Sequence, residues 1–131
     1  MYLLDTDICI YIMKQKPVAV EQRFQSVKTG SVYISVVSVA ELKAGARKSQ
    51  SFEENNSKLE LFLSPLKILS FDYEAAEAYG MVRDNLRRAG NIIGPYDLQI
   101  AAQALARNFI LVTNNMKEFN RVEGLTVENW A

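Results

Sequence analysis

The chain has 131 residues, with fifteen basic and fifteen acidic side chains, a single cysteine and no histidine. That length suits one domain over residues 1–131, and zero net charge gives no general affinity for nucleic acid or membrane, so any polyanion binding must come from a local basic patch. The lone Cys9 excludes an internal disulfide, and the missing histidine excludes imidazole acid–base catalysis, serine triads and the usual zinc sites.

The opening run Met1-Tyr2-Leu3-Leu4 ends abruptly in Asp5-Thr6-Asp7, which predicts a buried strand delivering acid to a sheet edge. Ile8–Met13 is apolar again, so the acids sit at a strand-to-helix junction, where α/β sheets bind ligands. Pro17 suits the first turn of a second helix with Val20, Phe24 and Val27 inward, ended by Thr29-Gly30. Val32–Val37 is β-rich and predicts a second strand. Ser38-Val39-Ala40-Glu41 matches a capping box for a helix to about Gln50. Ser51 opens a fourth helix, with Leu59, Phe62 and Leu63 inward and Pro65 closing it.

Leu66–Phe71 predicts a third strand and Tyr73–Ala89 the longest helix, stopped by Gly90. Pro95 belongs at the first position of an alanine-rich, deeply packed helix ending near Arg107, which places Asp97 in its first turn. Phe109–Val112 predicts a fourth strand ending in Thr113-Asn114-Asn115. A short turn over Met116–Phe119 and a last strand around Leu125–Val127 complete the chain. Strands alternating with helices predict an α/β fold, a mainly parallel sheet of four to five strands with helices on both faces. No signal-like leader and no bilayer-length apolar run is evident, so a cytoplasmic location without membrane association is expected.

The acids Asp5, Glu41, Asp97 and Glu118 each have a simple use: helix cap, capping-box partner, dipole compensation and solvated charge, respectively. Parallel strands would nevertheless carry at least Asp5, Glu41 and Glu118 to one edge. Carboxylates crowded there repel, and a divalent cation is their natural neutraliser.

Four stretches carry a resemblance. Leu3-Leu4-Asp5-Thr6-Asp7-Ile8, Ser38–Gly45, Ile93–Ala102 and Leu111–Phe119 resemble, in order and across the whole chain, the motifs of PIN-domain ribonucleases, and within these the VapC toxins of bacterial toxin–antitoxin pairs. The resemblance implies a Mg²⁺-dependent endoribonuclease in which Mn²⁺ substitutes. It also implies a homodimer and inhibition by a VapB antitoxin; some relatives cut initiator tRNA in its anticodon arm. Asp5, Glu41 and Asp97 match the family's metal-binding acids, while the fourth position falls on either Asn115 or Glu118. Asp7 stands where the family usually has Asn, adding a further anionic candidate.

Thr6, Ser38 and Thr113 could orient ligands or water, and equally could cap strand ends. A hard cation in such a site activates water for in-line attack on a phosphodiester, and without histidine to deprotonate a ribose hydroxyl the expected ends are 5′-phosphate and 3′-hydroxyl. RNA must then be drawn in by flanking bases, of which Lys43, Arg47 and Arg87 are candidates. Two other readings remain open here: a haloacid-dehalogenase-like phosphohydrolase using Asp5 and Asp7, and a non-catalytic module that binds RNA or protein.

Overall fold

Five short strands form one parallel sheet through the middle of the computed structural model, which describes residues 1–131. In chain order the elements are β1 (Tyr2–Leu4), α1 (Thr6–Lys14), α2 (Val18–Ser26), β2 (Val32–Ser35), α3 (Val36–Lys48), α4 (Phe52–Leu63) and β3 (Lys67–Leu69). There follow α5 (Tyr73–Arg88), α6 (Pro95–Arg107), β4 (Ile110–Val112), α7 (Met116–Phe119) and β5 (Val127–Glu128). The strand order is β3-β2-β1-β4-β5, every adjacent pair parallel, as the alternating pattern predicts.

The two-residue period of the strands builds a core on each face. Leu3 and Leu111 turn toward Val82, Leu86, Leu98 and Ala101, from α5 and α6. Leu4 and Val112 turn the other way, toward Ile8, Ile12, Val20, Leu59 and Leu63 from α1, α2 and α4. Each large aliphatic side chain buried this way contributes roughly 1.5–3 kcal/mol, so the central strands are fixed in register despite their shortness.

Several boundaries depart from the sequence pattern: α2 ends at Ser26, short of Val27 and Thr29-Gly30, β5 is Val127–Glu128 rather than Leu125–Val127, and β2 and β3 are both shorter than expected. Val36 and Val37 belong to α3 rather than β2, because Ser35 Oγ accepts the amide of Val37 at 3.0 Å and starts the helix. A cap supplied three residues early overrides the β preference of the two valines. β3 is shorter than Leu66–Phe71 because it is an edge strand whose only partner is β2, and pairing stops at Ser35↔Leu69 where β2 becomes helix.

From β1 the chain runs to β2 and β3 on one side, then crosses through α5 and α6 to β4 on the other. That reversal opens a crevice at the carboxyl ends of β1 and β4. No helix is long and apolar enough to cross a membrane.

One core residue gave no signal in the sequence. Trp130 is 5% exposed, lies edge-on to Tyr2 with ring centroids 5.3 Å apart, and donates its indole N–H to Glu128 at 3.0 Å. It pins the C-terminal residues against β1. Trp130→Ala should therefore cost roughly 3 kcal/mol in urea unfolding, whereas Ile92→Ala, at an exposed position, should change stability by less than about 0.5 kcal/mol. Equal effects at the two positions would contradict this packing.

Candidate active site

Leu4 and Val112 pair in register, so the next residues, Asp5 and Thr113, stand side by side at the crevice. The Asp5 amide extends the ladder by one bond, to Val112 O at 2.9 Å. Its carboxylate is held on both oxygens: Oδ1 accepts the Thr6 amide at 2.8 Å and Oδ2 accepts the Thr113 hydroxyl at 2.7 Å. Asp5 thus caps α1 with one oxygen and is fixed toward the crevice by the other. Burial pushes its carboxyl up to about 6, with the charge of Asp7 adding to the effect, the bonds from Thr113 and Thr6 opposing it, and Glu41 adding a further repulsion.

The capping box expected at Ser38 and Glu41 does not form, because α3 already starts under Ser35 and Ser38 lies inside the helix, buried. Ser38 Oγ instead sits 2.9 Å from Thr6 Oγ1, which is also 2.9 Å from Glu41 Oε1. The carboxylate can only accept, so Thr6 donates its one proton to Glu41 and accepts from Ser38. The two hydroxyls anchor Glu41 beside Asp5 rather than serving as caps.

Pro95 is the first residue of α6, and no side chain caps that helix, so Asp97 sits near free amide hydrogens. Its carboxyl is pushed up to about 7, first by burial, then by the charges of Asp5 and Glu118, by a hydrogen bond with Glu118 that favours the protonated form, and by Glu41. The Glu118 carboxylate is not simply solvated. Gly94 N donates to Oε1 at 2.8 Å and Asn115 Nδ2 to Oε2 at 2.6 Å. The Asn115 amide in turn donates to Thr113 Oγ1 at 2.9 Å. A methyl carbon at Gly94 would come 3.8 Å from Asp97 Oδ2 and 3.9 Å from Glu118 Oε1, so the bare backbone lies against both acids.

Asp7 completes the acidic group. Its Oδ2 accepts the Asn114 amide at 3.3 Å, while Oδ1 is buried without a partner. Burial raises this carboxyl as well. The donor set is oxygen only, since Cys9 is fully buried and burial drives its thiol far from ionising. An oxygen-only set with an orphaned carboxylate oxygen suits a hard divalent cation. No three acids converge into a closed coordination shell.

Each of the three basic candidates meets a partner in the fold. Lys43 pairs with Glu60 and donates to Asn56 at 3.0 Å, both on α4. Arg47 stacks on Phe52, its guanidinium carbon 4.0 Å from the ring centre. Arg87 pairs with Asp84 at 2.7 Å on its own helix, alongside Arg88. Arg87 borders an open hollow that α5 forms with the loop before α6. Sequence reasoning missed Gly94, whose role is a backbone donor, and Gln103, buried in α6. A long polar side chain flanked on both sides by Ala101-Ala102 and Ala104-Leu105 was the available signal for the second.

Residues 2–125 match the model of the PIN domain. The chain is 44% identical to a tRNA(fMet)-specific endonuclease VapC from Shigella flexneri over 130 residues, covering 99% of this chain and 98% of that protein. Among solved structures, VapBC from Salmonella typhimurium, bound to DNA, superposes with a TM-score of 0.94 at 40% identity, covering 99% of this chain and 98% of that one. VapBC2 from Rickettsia felis, bound to a promoter DNA fragment, gives 0.93 at 41% identity with the same coverage.

The raised carboxyls have a consequence for stability. The folded chain holds protons on Asp5 and Asp97 more tightly than the unfolded chain, so metal-free stability falls as pH rises from about 4 to about 7. Asp72 and Asp84 sit below the ordinary carboxylate range, chiefly through the Ala75 amide and Arg87 respectively, and act only below that window. With chelator present, Tm should drop by roughly 3–8 °C between pH 5 and pH 8, and Asp97→Asn should flatten the slope. Thermal melts of the two proteins check this, and equal slopes would contradict the repulsion.

Proposed function

The chain belongs to the PIN-domain family, and on that premise we propose that it is a divalent-metal-dependent endoribonuclease, the toxin of a VapBC-type toxin–antitoxin pair. The observation that carries the reading is the set of mutually repelling carboxylates, Asp5, Glu41, Asp97 and Glu118, gathered at the crevice between β1 and β4. A non-catalytic binding module has no use for so unfavourable a charge arrangement, and family membership removes the haloacid-dehalogenase-like reading. PIN-domain nucleases are generally divalent-metal dependent. Mg²⁺ is the ion proposed here, with Mn²⁺ able to substitute.

In this reading Asp5, Glu41, Asp97 and Glu118 hold the cation, with Asp7 as a further anionic neighbour. When bound, the cation supplies Lewis-acid chemistry, lowering the pKa of the attacking water and offsetting charge on the phosphodiester. Thr113 keeps the Asp5 carboxylate turned toward the crevice, and Thr6 with Ser38 does the same for Glu41. Asn115 donates to Glu118 and so acts as its holder, which supports Glu118 rather than Asn115 at the fourth acidic position. The RNA is proposed to be tRNA, initiator tRNA first, because relatives as similar as the Shigella flexneri protein are tRNA(fMet)-specific. The chain is proposed to act as a single domain in the bacterial cytoplasm, as a homodimer bound to a VapB-type antitoxin.

Sequencing of RNA ends from purified protein with Mg²⁺ should show 5′-phosphate and 3′-hydroxyl products, absent with Asp97→Asn. Cyclic phosphate ends, or full cleavage by that folded variant, would overturn the mechanism.

The fourth position has its own test. Glu118→Gln removes a charge that the cation needs, whereas Asn115→Ala removes only a donor to it. The first should abolish cleavage and the second should reduce it roughly ten-fold. Metal titrations of both variants decide, and the reverse order would move the ligand to position 115.

Inhibition by the antitoxin is proposed to run through the same pocket, a basic side chain of its tail pairing with Asp5, Glu41 and Asp97 in place of the cation. Raising Mg²⁺ should then weaken the toxin–antitoxin complex more than a monovalent salt at matched ionic strength. Equal effects of the two salts would place inhibition elsewhere.

A further inference from the structure

We infer that Gln103 is a positioning residue for the acidic cluster, locking the helix that carries Asp97 to the strand end from which the helix carrying Glu41 starts. The inference rests on the metal-nuclease reading of that cluster. Gln103 is 1% exposed and sits among Ile100, Ala101, Ala102 and Ala104, all fully buried. An amide in such surroundings is unfavourable unless both of its ends are paired.

Both ends are paired, and in one direction only. The carbonyl of Leu69 can only accept, and Gln103 Nε2 donates to it at 3.0 Å. That orients Oε1 toward Ser35, whose hydroxyl donates to it. Ser35, itself fully buried, then accepts the Val37 amide at 3.0 Å and thereby caps α3. A single chain of bonds therefore joins the end of β3, the middle of α6, the end of β2 and the first turn of α3.

Both acids lie close to this chain. Asp97 is six residues back along α6 from Gln103, about 9 Å at helical rise. Glu41 rides on the helix that Ser35 starts. Apolar neighbours of Gln103 already fasten α6 to the sheet, so burial alone does not call for an amide here. What the amide adds is direction, fixing the rotation and the axial position of α6 against β2 and β3. Misplacement by about 1 Å costs on the order of 10²-fold in rate, and partners that orient metal ligands are typically worth about 10–100-fold in metal affinity.

The test is Mn²⁺ binding, read by the electron paramagnetic resonance of free Mn²⁺, together with kcat and KM for RNA cleavage. Gln103→Met keeps the volume without the bonds, and Ser35→Ala breaks the same chain from its other end. Leu59→Ala opens a cavity in the opposite core cluster and serves as a control that loses stability only. Gln103→Met and Ser35→Ala should each weaken Mn²⁺ binding about ten-fold or more and lower kcat with little change in KM. The Leu59 variant should keep the Mn²⁺ affinity of the unaltered chain although its Tm falls.

Unaltered Mn²⁺ affinity in the folded Gln103 and Ser35 variants overturns the inference, as does an equal loss in the Leu59 variant. Should Gln103→Met not fold, Ser35→Ala decides alone. Failure of the unaltered chain to bind Mn²⁺, or undiminished binding by Asp97→Asn, overturns the site reading and this inference with it. Loss only in Asp97→Asn leaves the site reading standing and removes Gln103 from it.

Discussion

The crowding of buried and half-buried carboxylates at one end of a parallel sheet is the constraint on which the rest of this structure turns. Asp5 and Asp97 are both pushed far above the ordinary carboxylate range, burial first and neighbouring acids second. A fold that tolerates this must hold the acids in place by something other than their mutual preference. Asp5 is held by the Thr6 amide and Thr113, Glu41 by Thr6, and Glu118 by Gly94 and Asn115. Most of these donors are neutral backbone amides or hydroxyls, which steer a carboxylate without neutralising it. A lysine or arginine in their place would stabilise the apo protein and compete with a cation.

The frame that carries these donors is rigid for reasons remote from the chemistry. Leu3 and Leu4, with Leu111 and Val112, bury themselves on opposite faces, and a one-residue slip would exchange both faces at once. The register that protects the core is the same register that sets Asp5 beside Thr113. The crevice is thus a by-product of strand order, β1 at the centre with β2 and β4 on either side. Loops complete it at two points, Thr113–Asn115 after β4, which holds Asp5, Asp7 and Glu118, and Gly94, where bare backbone meets Asp97 and Glu118.

Much of this was legible in the sequence, because period and punctuation are local signals. The strand ending at Asp5, the proline that opens α6 and the alternation of strands with helices all sit where the pattern puts them. What escaped was decided by partners distant in the chain. Ser35 rather than Ser38 caps α3, since Ser38 bonds Thr6, thirty-two residues away. The pairing of Lys43 with Glu60 of α4 likewise had no local signal. Gln103, in the alanine-rich α6, takes its role from bonds that β2 and β3 supply. Trp130 showed no periodicity at all, and only the return of the chain to Tyr2 explains its burial.

In the proposed function the acids at the end of β1 and on α3, α6 and α7 share one cation. Anomalous diffraction from crystals soaked in Mn²⁺ locates that ion without reference to activity. A peak is expected in the crevice, coordinated directly or through one water by Asp5, Glu41, Asp97 and Glu118, and absent from crystals of Asp5→Asn. A peak bound elsewhere, or an undiminished crevice peak in that variant, would contradict the shared site.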